Sequence, residues 1–191
     1  MANMASVSYA IEGSKDSLTK IKESINKALN NKDDKKYEEY STCLNLGFTE
    51  EELEKYRLGG EMYEEVEIKD GVLRFWAEER WGLQDFEELL KKKFPDITVY
   101  WIVEECGCEV YCTNDEEGKY FPERYWVDTC IDDNYQSEYF ITKEAMYEWL
   151  SKITNGRVKS KEDVEEFNAD YEDSCTEDEN FIYIHEFEII E

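Results

Sequence analysis

Apolar residues alternate with polar ones near the start of the chain and then recur at helical spacing. Val7, Tyr9 and Ile11 lie two residues apart, which is the period of a half-buried strand. Residues 15–30 place apolar side chains three and four positions apart, and Ser14 precedes them as a candidate N-cap. The chain is therefore predicted to begin with a strand followed by an amphipathic helix.

The same two periods return in the middle of the chain. Met62 to Ile68 and Val72 to Glu78 alternate, and Asp70-Gly71 between them is typical of a hairpin turn. Phe86 to Phe94 has helical spacing, and Ile97 to Val103 is rich in strand-forming residues. The order β-α-β-β-α-β predicts an α+β fold of the ferredoxin-like type, an antiparallel sheet with two helices on one face.

Further elements are predicted after this unit. Glu109 to Thr113 and Tyr120 to Ile131 are expected to be strands that extend the sheet. Thr142 can cap a third helix, and Ser160 precedes an acidic one. Phe181 to Ile190 predicts a last strand. The aromatic side chains on the predicted strands are expected to pack in the core or against neighbouring strands.

The organisation of the chain follows from these elements. We expect one ferredoxin-like domain over residues 1–135, with an insert at about residues 31–60 that contains a short helix capped by Thr49. Residues 30–40 are polar and are expected to be a connection. Residues 136–191 are predicted to be an acidic helical extension that packs on the same domain and ends in a strand.

Composition indicates a folded chain, since 41% of the residues are apolar and 15% are aromatic. No apolar run approaches the roughly 18 residues of a membrane span, and Met1 to Ile11 lacks the features of an export signal. We therefore expect a cytoplasmic protein whose six cysteines are reduced thiols.

Acidic residues outnumber basic ones by 48 to 22, and the excess is concentrated in particular segments. Residues 161–191 contain 13 acids and one base, whereas residues 1–49 are neutral. The net charge of −26 disfavours direct binding to nucleic acid or to an anionic membrane. This net charge favours electrostatic attraction of the protein to a basic protein surface, and it equals the phosphate charge of about 13 base pairs.

We therefore predict an acidic face that binds a basic partner, such as a nucleic-acid-binding host protein that it engages as a nucleic-acid mimic. The alternative is a solvated surface without a partner. The residues assigned to this face are Glu162, Asp163, Glu165, Glu166, Asp170, Glu172, Asp173, Glu177, Asp178 and Glu179.

Catalytic and metal-binding patterns are weak. Cys106, Cys108 and Cys112 would share one face of an extended strand, but a second ligand pair is missing, so packing is the expected role. His185 is the sole histidine and is expected to be structural. Asn168 to Glu172 resembles the start of an EF-hand loop, yet Asp173 stands where that loop needs glycine. No cofactor motif is found, and no cofactor is predicted.

A set of short motifs carries a resemblance to a known family. The motifs are Arg80-Trp81-Gly82, Phe94-Pro95-Asp96-Ile97-Thr98 after Leu89, and Glu104-Glu105 before Gly107. With them, residues 1–130 resemble the YubB/Api92-like ferredoxin-like domain of phage and plasmid proteins. Cys106 and Cys108 stand where that group more often has proline and glycine-rich residues. The resemblance implies a ferredoxin-like fold and a mobile-element origin, and it implies no catalytic residues.

The prediction for function is a non-enzymatic acidic binding protein of mobile-element origin. Two alternatives stay open at this point. One is a metal-dependent or cysteine-dependent enzyme on a ferredoxin-like scaffold, which would require Cys106, Cys108 and His185 to converge. The other is an acidic structural module.

Overall fold

The computed structural model describes residues 3–31, 37–172 and 180–190. The chain is an α+β protein with two mostly antiparallel sheets. It divides into two compact units. The first unit comprises the described residues up to Glu116 together with Ile190, and the second comprises those from Glu117 to Ile189.

The first unit contains five strands and four helices within its described residues. Their bounds are β1 (Met4–Glu12), α1 (Lys15–Asn30), α2 (Glu38–Asn45), α3 (Glu50–Leu53), β2 (Glu67–Lys69), β3 (Val72–Arg80), α4 (Phe86–Lys93), β4 (Thr98–Glu105) and β5 (Val110–Thr113).

The strands of this unit lie in the order β2-β3-β1-β4-β5, and every neighbouring pair is antiparallel. Strand β1 is central, with Tyr9 opposite Phe75 on one side and Trp101 on the other. Alternate residues of β1 are buried, and they pack against the apolar sides of α1 and α4. Both helices therefore cover the same face of the sheet.

The ends of several elements follow their local sequence. Ser14 Oγ accepts a hydrogen bond from Ser17 N at the start of α1, and Thr49 and Glu52 form a capping box at α3. Asp70 and Gly71 both have positive φ in the turn between β2 and β3, as a tight hairpin requires. These caps and turns are confirmed predictions, although β2 is shorter than expected.

The second unit contains a three-stranded sheet in the order β7-β6-β8. Its bounds are β6 (Tyr125–Ile131), β7 (Asn134–Phe140), α5 (Lys143–Ile153), α6 (Lys161–Glu172), β8 (Phe181–Glu186) and the two-residue strand β9 (Glu188–Ile189).

Strand β6 is the centre of this second sheet and pairs with β7 and β8. The expectation that Tyr120 to Ile131 extends the first sheet is therefore wrong. Helices α5 and α6 pack on one face of the sheet, where Val127 and Ile182 contact Met146, Leu150 and other apolar residues. The second unit thus has a core of its own. The domain boundary expected near residue 135 stays a prediction.

Two elements of the described residues were not predicted from the sequence. Helix α2 occupies part of the stretch expected to be a connection, and β7 lies in a segment without a strand prediction. None of the helices in the described residues is long and apolar enough to cross a bilayer.

Candidate functional site

The acidic helix α6 begins where the sequence predicts. Ser160 Oγ accepts a hydrogen bond from Asp163 N at 3.2 Å, and Asp163 Oδ2 accepts one from Lys159 N at 2.8 Å. Val164 and Phe167 turn toward the core of the second unit. The predicted face residues Glu162, Glu165 and Glu166 consequently point to solvent.

Nearby groups offset part of the negative charge of this acidic surface. Arg157 Nη2 lies 2.9 Å from Asp170 Oδ2, and Lys161 Nζ lies 3.9 Å from Glu165 Oε1. Asp163 is half-buried because it caps the helix.

The other residues assigned to the acidic face are Glu172, Asp173, Glu177, Asp178 and Glu179. The described residues include only the backbone of Glu172 and none of the other four. The partner-binding role of the acidic face stays a prediction.

The resemblance to an EF-hand loop does not extend to structure. Asn168 to Glu172 form the last part of helix α6 and not a loop. The amide of Asn168 donates to Ile182 O and accepts from Ile182 N, both at 2.9 Å. This side chain therefore joins α6 to β8. In the part of the chain that is described, no three His, Cys, Asp or Glu side chains are grouped as a metal site.

The face of the second sheet opposite α5 and α6 carries a row of aromatic side chains on each outer strand. We call it the aromatic sheet face. Strand register and alternation assign to it Trp126, Asp128 and Cys130 of β6, Tyr135, Ser137 and Tyr139 of β7, and Phe181, Tyr183 and His185 of β8.

Neighbouring rings on this face contact one another. Trp126 and His185 stack with centroids 4.9 Å apart, and Tyr139 lies on the other side of Trp126 at 6.4 Å. At the other end, Phe181 stacks on Tyr183 at 4.8 Å and meets Tyr135 edge-on at 6.1 Å. The rings form two groups, one at each end of the three strands.

Exposure and charge give this face its chemistry. Tyr135, Tyr183 and Tyr139 are 61%, 54% and 44% exposed. Asp128 lies in the central strand, opposite Tyr183 and Ser137, between the two ring groups. Exposed π faces around a carboxylate favour cationic groups, above all the planar guanidinium of arginine.

A second polar cluster lies inside the first unit. Glu39 of α2 and Glu79 of β3 are both fully buried, and the charge of Glu79 acts on the Glu39 carboxyl group. Glu39 Oε2 accepts from Gly60 N at 2.9 Å, while Glu79 accepts from Tyr9 Oη and from Gln84 N. Two buried carboxyl groups that are close neighbours avoid like-charge repulsion when one of them is protonated.

Burial and the neighbouring Glu79 carboxylate raise the pKa of Glu39 well above its usual range. Burial also raises the pKa of Glu79, although its hydrogen bonds from Tyr9 and Gln84 act in the opposite direction. Glu39 is therefore the group that keeps the proton. The pair attaches α2 to the sheet, and its burial suits a structural role better than access to a substrate.

The three clustered cysteines do not form a row. Cys106 and Cys108 lie exposed in the turn between β4 and β5, whereas Cys112 is buried within β5. The prediction that all three share a core-facing strand is therefore wrong, because the strand ends at Glu105. His185 belongs to the second unit and is half-buried against Trp126, which fits its expected structural role.

Comparison with known proteins adds no relative. No protein-family model matches the chain, and no curated protein or solved structure matches it. The resemblance to the phage and plasmid domain stays a prediction.

Sequence reasoning missed both the aromatic sheet face and the buried carboxyl pair. The first has a readable signal, since Tyr135, Ser137 and Tyr139 alternate as Trp126, Asp128 and Cys130 do. The second has none, because Glu39 and Glu79 are two glutamates among many and only folding brings them together.

We predict that Glu39→Gln changes how stability depends on pH. The pKa of Glu39 is higher in the folded than in the unfolded chain, so its contribution is lost as pH rises above about 4.3. Relative to E39Q, the unaltered protein should lose up to about 1.4 kcal/mol of unfolding free energy per pH unit as pH rises above about 5. Native-state hydrogen exchange of the β1 amides measures this quantity.

The matched control is Glu38→Gln, one residue away, whose carboxylate accepts from Met62 N at 3.2 Å. E38Q should keep the pH slope of the unaltered protein. Parallel pH profiles for the unaltered protein and E39Q would contradict the raised pKa of Glu39.

We also predict that alanine is tolerated at Gly59 but not at Gly60. A Cβ on Gly60 would overlap the buried carboxyl group of Glu39, whereas a Cβ on Gly59 would meet Arg80 side-chain atoms at 3.5 Å. G60A should lower the unfolding free energy of the first unit by about 1–3 kcal/mol, and G59A should change it by less than about 0.5 kcal/mol. Equal losses of unfolding free energy for G59A and G60A in urea denaturation would refute the close approach of Glu39 to Gly60.

Proposed function

We propose that this chain is a non-enzymatic binding protein that takes a basic segment of a partner protein on its aromatic sheet face. The observation that carries the proposal is the set of exposed tyrosines around Asp128, on a face opposite the helices of the second unit. We assign it no reaction.

Charge supports a cationic occupant. Residues 117–189 contain 20 acidic and 7 basic residues, so the unit that carries the face is itself strongly negative. A negative field raises the encounter rate with basic partners and repels nucleic acid. Arginine side chains can both follow this field and stack on the tyrosine rings.

The setting that fits this occupant is a basic arm or tail of a nucleic-acid-binding host protein. We further propose that the first unit is a ferredoxin-like domain of mobile-element origin. The support is its strand order, with β1 between β3 and β4 and with α1 and α4 on one face. In this proposal the acidic helix α6 supplies attraction at a distance, and the aromatic sheet face supplies the contacts.

We predict that an arginine-rich peptide binds the full chain more tightly than a lysine-rich peptide of equal length and charge. The double variant Tyr135→Ser and Tyr183→Ser should weaken arginine-peptide binding about 5- to 30-fold, since each cation–π contact contributes about 0.5–1 kcal/mol. Fluorescence anisotropy of labelled peptides at low and high salt measures both effects.

Two controls distinguish direct contact with the peptide from long-range electrostatic attraction. Trp81→Ser removes an exposed aromatic side chain from the first unit and should leave the affinity unchanged. Glu162→Gln with Glu166→Gln should slow association at low salt without changing the dissociation rate. If the tyrosine variant binds as the unaltered protein does, or if arginine and lysine peptides bind equally, the proposal fails.

A further inference from the structure

The turn between β4 and β5 presents two thiols to solvent. Cys106 and Cys108 are both exposed, whereas the other described cysteines, Cys43, Cys112 and Cys130, are buried. The turn covers the four residues between Glu105 and Val110. Glu109 adopts a positive φ of 56° at its end, so the chain reverses sharply within it.

The spacing of the two cysteines permits a bond between them. Residues two apart in a fully extended strand are separated by about 6.6–6.8 Å between Cα atoms, and a turn shortens this distance. Disulfides join Cα atoms that lie about 4.4–6.8 Å apart. Cys106 and Cys108 are therefore within bridging range without unfolding of β4 or β5.

Each sulfur has a polar neighbour from another part of the first unit. Asn3 Nδ2 donates a hydrogen bond to Cys108 Sγ at 3.0 Å, and Tyr111, whose hydroxyl is buried, is a neighbour of Cys106. Gly107 N donates to Glu105 Oε1 at 3.2 Å, which ties the residue between the cysteines to the end of β4. The two thiols are thus held by defined contacts on a short, anchored turn.

We propose that Cys106 and Cys108 form a reversible dithiol–disulfide site that reacts with small disulfides. One cysteine thiolate attacks the reagent disulfide, forms a mixed disulfide and releases the first reagent thiolate. The second cysteine loses its proton, its sulfur attacks the protein sulfur of the mixed disulfide, and the second reagent thiolate leaves. Two electrons pass to the reagent, and the two protons end on the released thiols.

The disulfide would enclose a very short loop, so we expect it to be reversible and to add little stability to the fold. Stabilisation of the folded state by a disulfide grows with the number of residues it encloses, and here a single glycine is enclosed. Exposed bridges with little such support are the ones that reduce readily. The site is independent of the aromatic sheet face, so either proposal can fail without the other.

The charge of the surroundings selects among reagents. Glu105 and Glu109 flank the two cysteines in sequence, and the whole chain carries a net charge of −26. Cystamine, a cationic disulfide, should therefore react at least tenfold faster than anionic oxidised glutathione at low salt. The ratio should fall toward unity in about 1 M salt, where charges are screened within roughly 3 Å.

The experiment uses the 191-residue chain with Cys175→Ser, so that the remaining cysteine of the sequence cannot contribute. The protein is equilibrated with reduced and oxidised glutathione at graded ratios, quenched with acid, alkylated and analysed by peptide mass mapping, since a readily reduced bridge has a potential near that of the glutathione couple. We expect both thiols to be lost together in one two-electron transition that yields a linkage between Cys106 and Cys108, and excess reductant should restore both.

Single variants test the mechanism. With oxidised glutathione, Cys106→Ser or Cys108→Ser should stop at a stable mixed disulfide, because the resolving thiol is gone. Tyr111→Phe removes the hydroxyl beside Cys106 and should change the rate of ring closure at least threefold, with circular dichroism confirming an unaltered fold.

Three results would overturn the proposal. They are independent adducts on both cysteines of the Cys175→Ser protein, a linkage between two chains, and persistence of both thiols in oxidised glutathione without the reduced form.

Discussion

Repulsion among carboxylates is the constraint that every part of this structure must satisfy. The chain carries 48 acidic groups, and a compact state brings them closer together than an unfolded one does. In the first unit, an apolar core on one face of the sheet opposes this repulsion, and β1, α1 and α4 contribute to it. Where a carboxyl group is buried beside another, at Glu39 and Glu79, a proton removes one of the two charges.

Much of the fold could be predicted because it is encoded locally. The alternation of β1, the helical spacing of α1 and the Asp70-Gly71 turn each depend on a few neighbouring residues. Capping at Ser14 and Thr49 is equally local. These features were therefore accessible from the sequence alone.

The elements that escaped prediction depend on distant partners. Helix α2 is short and polar, and it is held by a buried glutamate whose partner, Glu79, lies 40 positions along the chain. Strand β7 has tyrosines on the exposed face and Gln136 and Glu138 on the other, which reverses the usual pattern. The pairing of β6 with β8 joins segments more than 50 residues apart. Nothing in their own sequence specifies it.

Two hydrogen bonds join the Asn168 amide to the backbone of Ile182, and Val164 and Phe167 pack the acidic helix against one face of the second sheet. Helix α6 lies on one side, and the tyrosines lie on the other, so a layer of side chains and backbone more than about 10 Å thick separates them. That thickness exceeds the screening length of about 8 Å in physiological salt. A peptide seated on the tyrosines would gain little binding energy from the helix, and its residence time should be nearly insensitive to the ionic composition of the medium on that account.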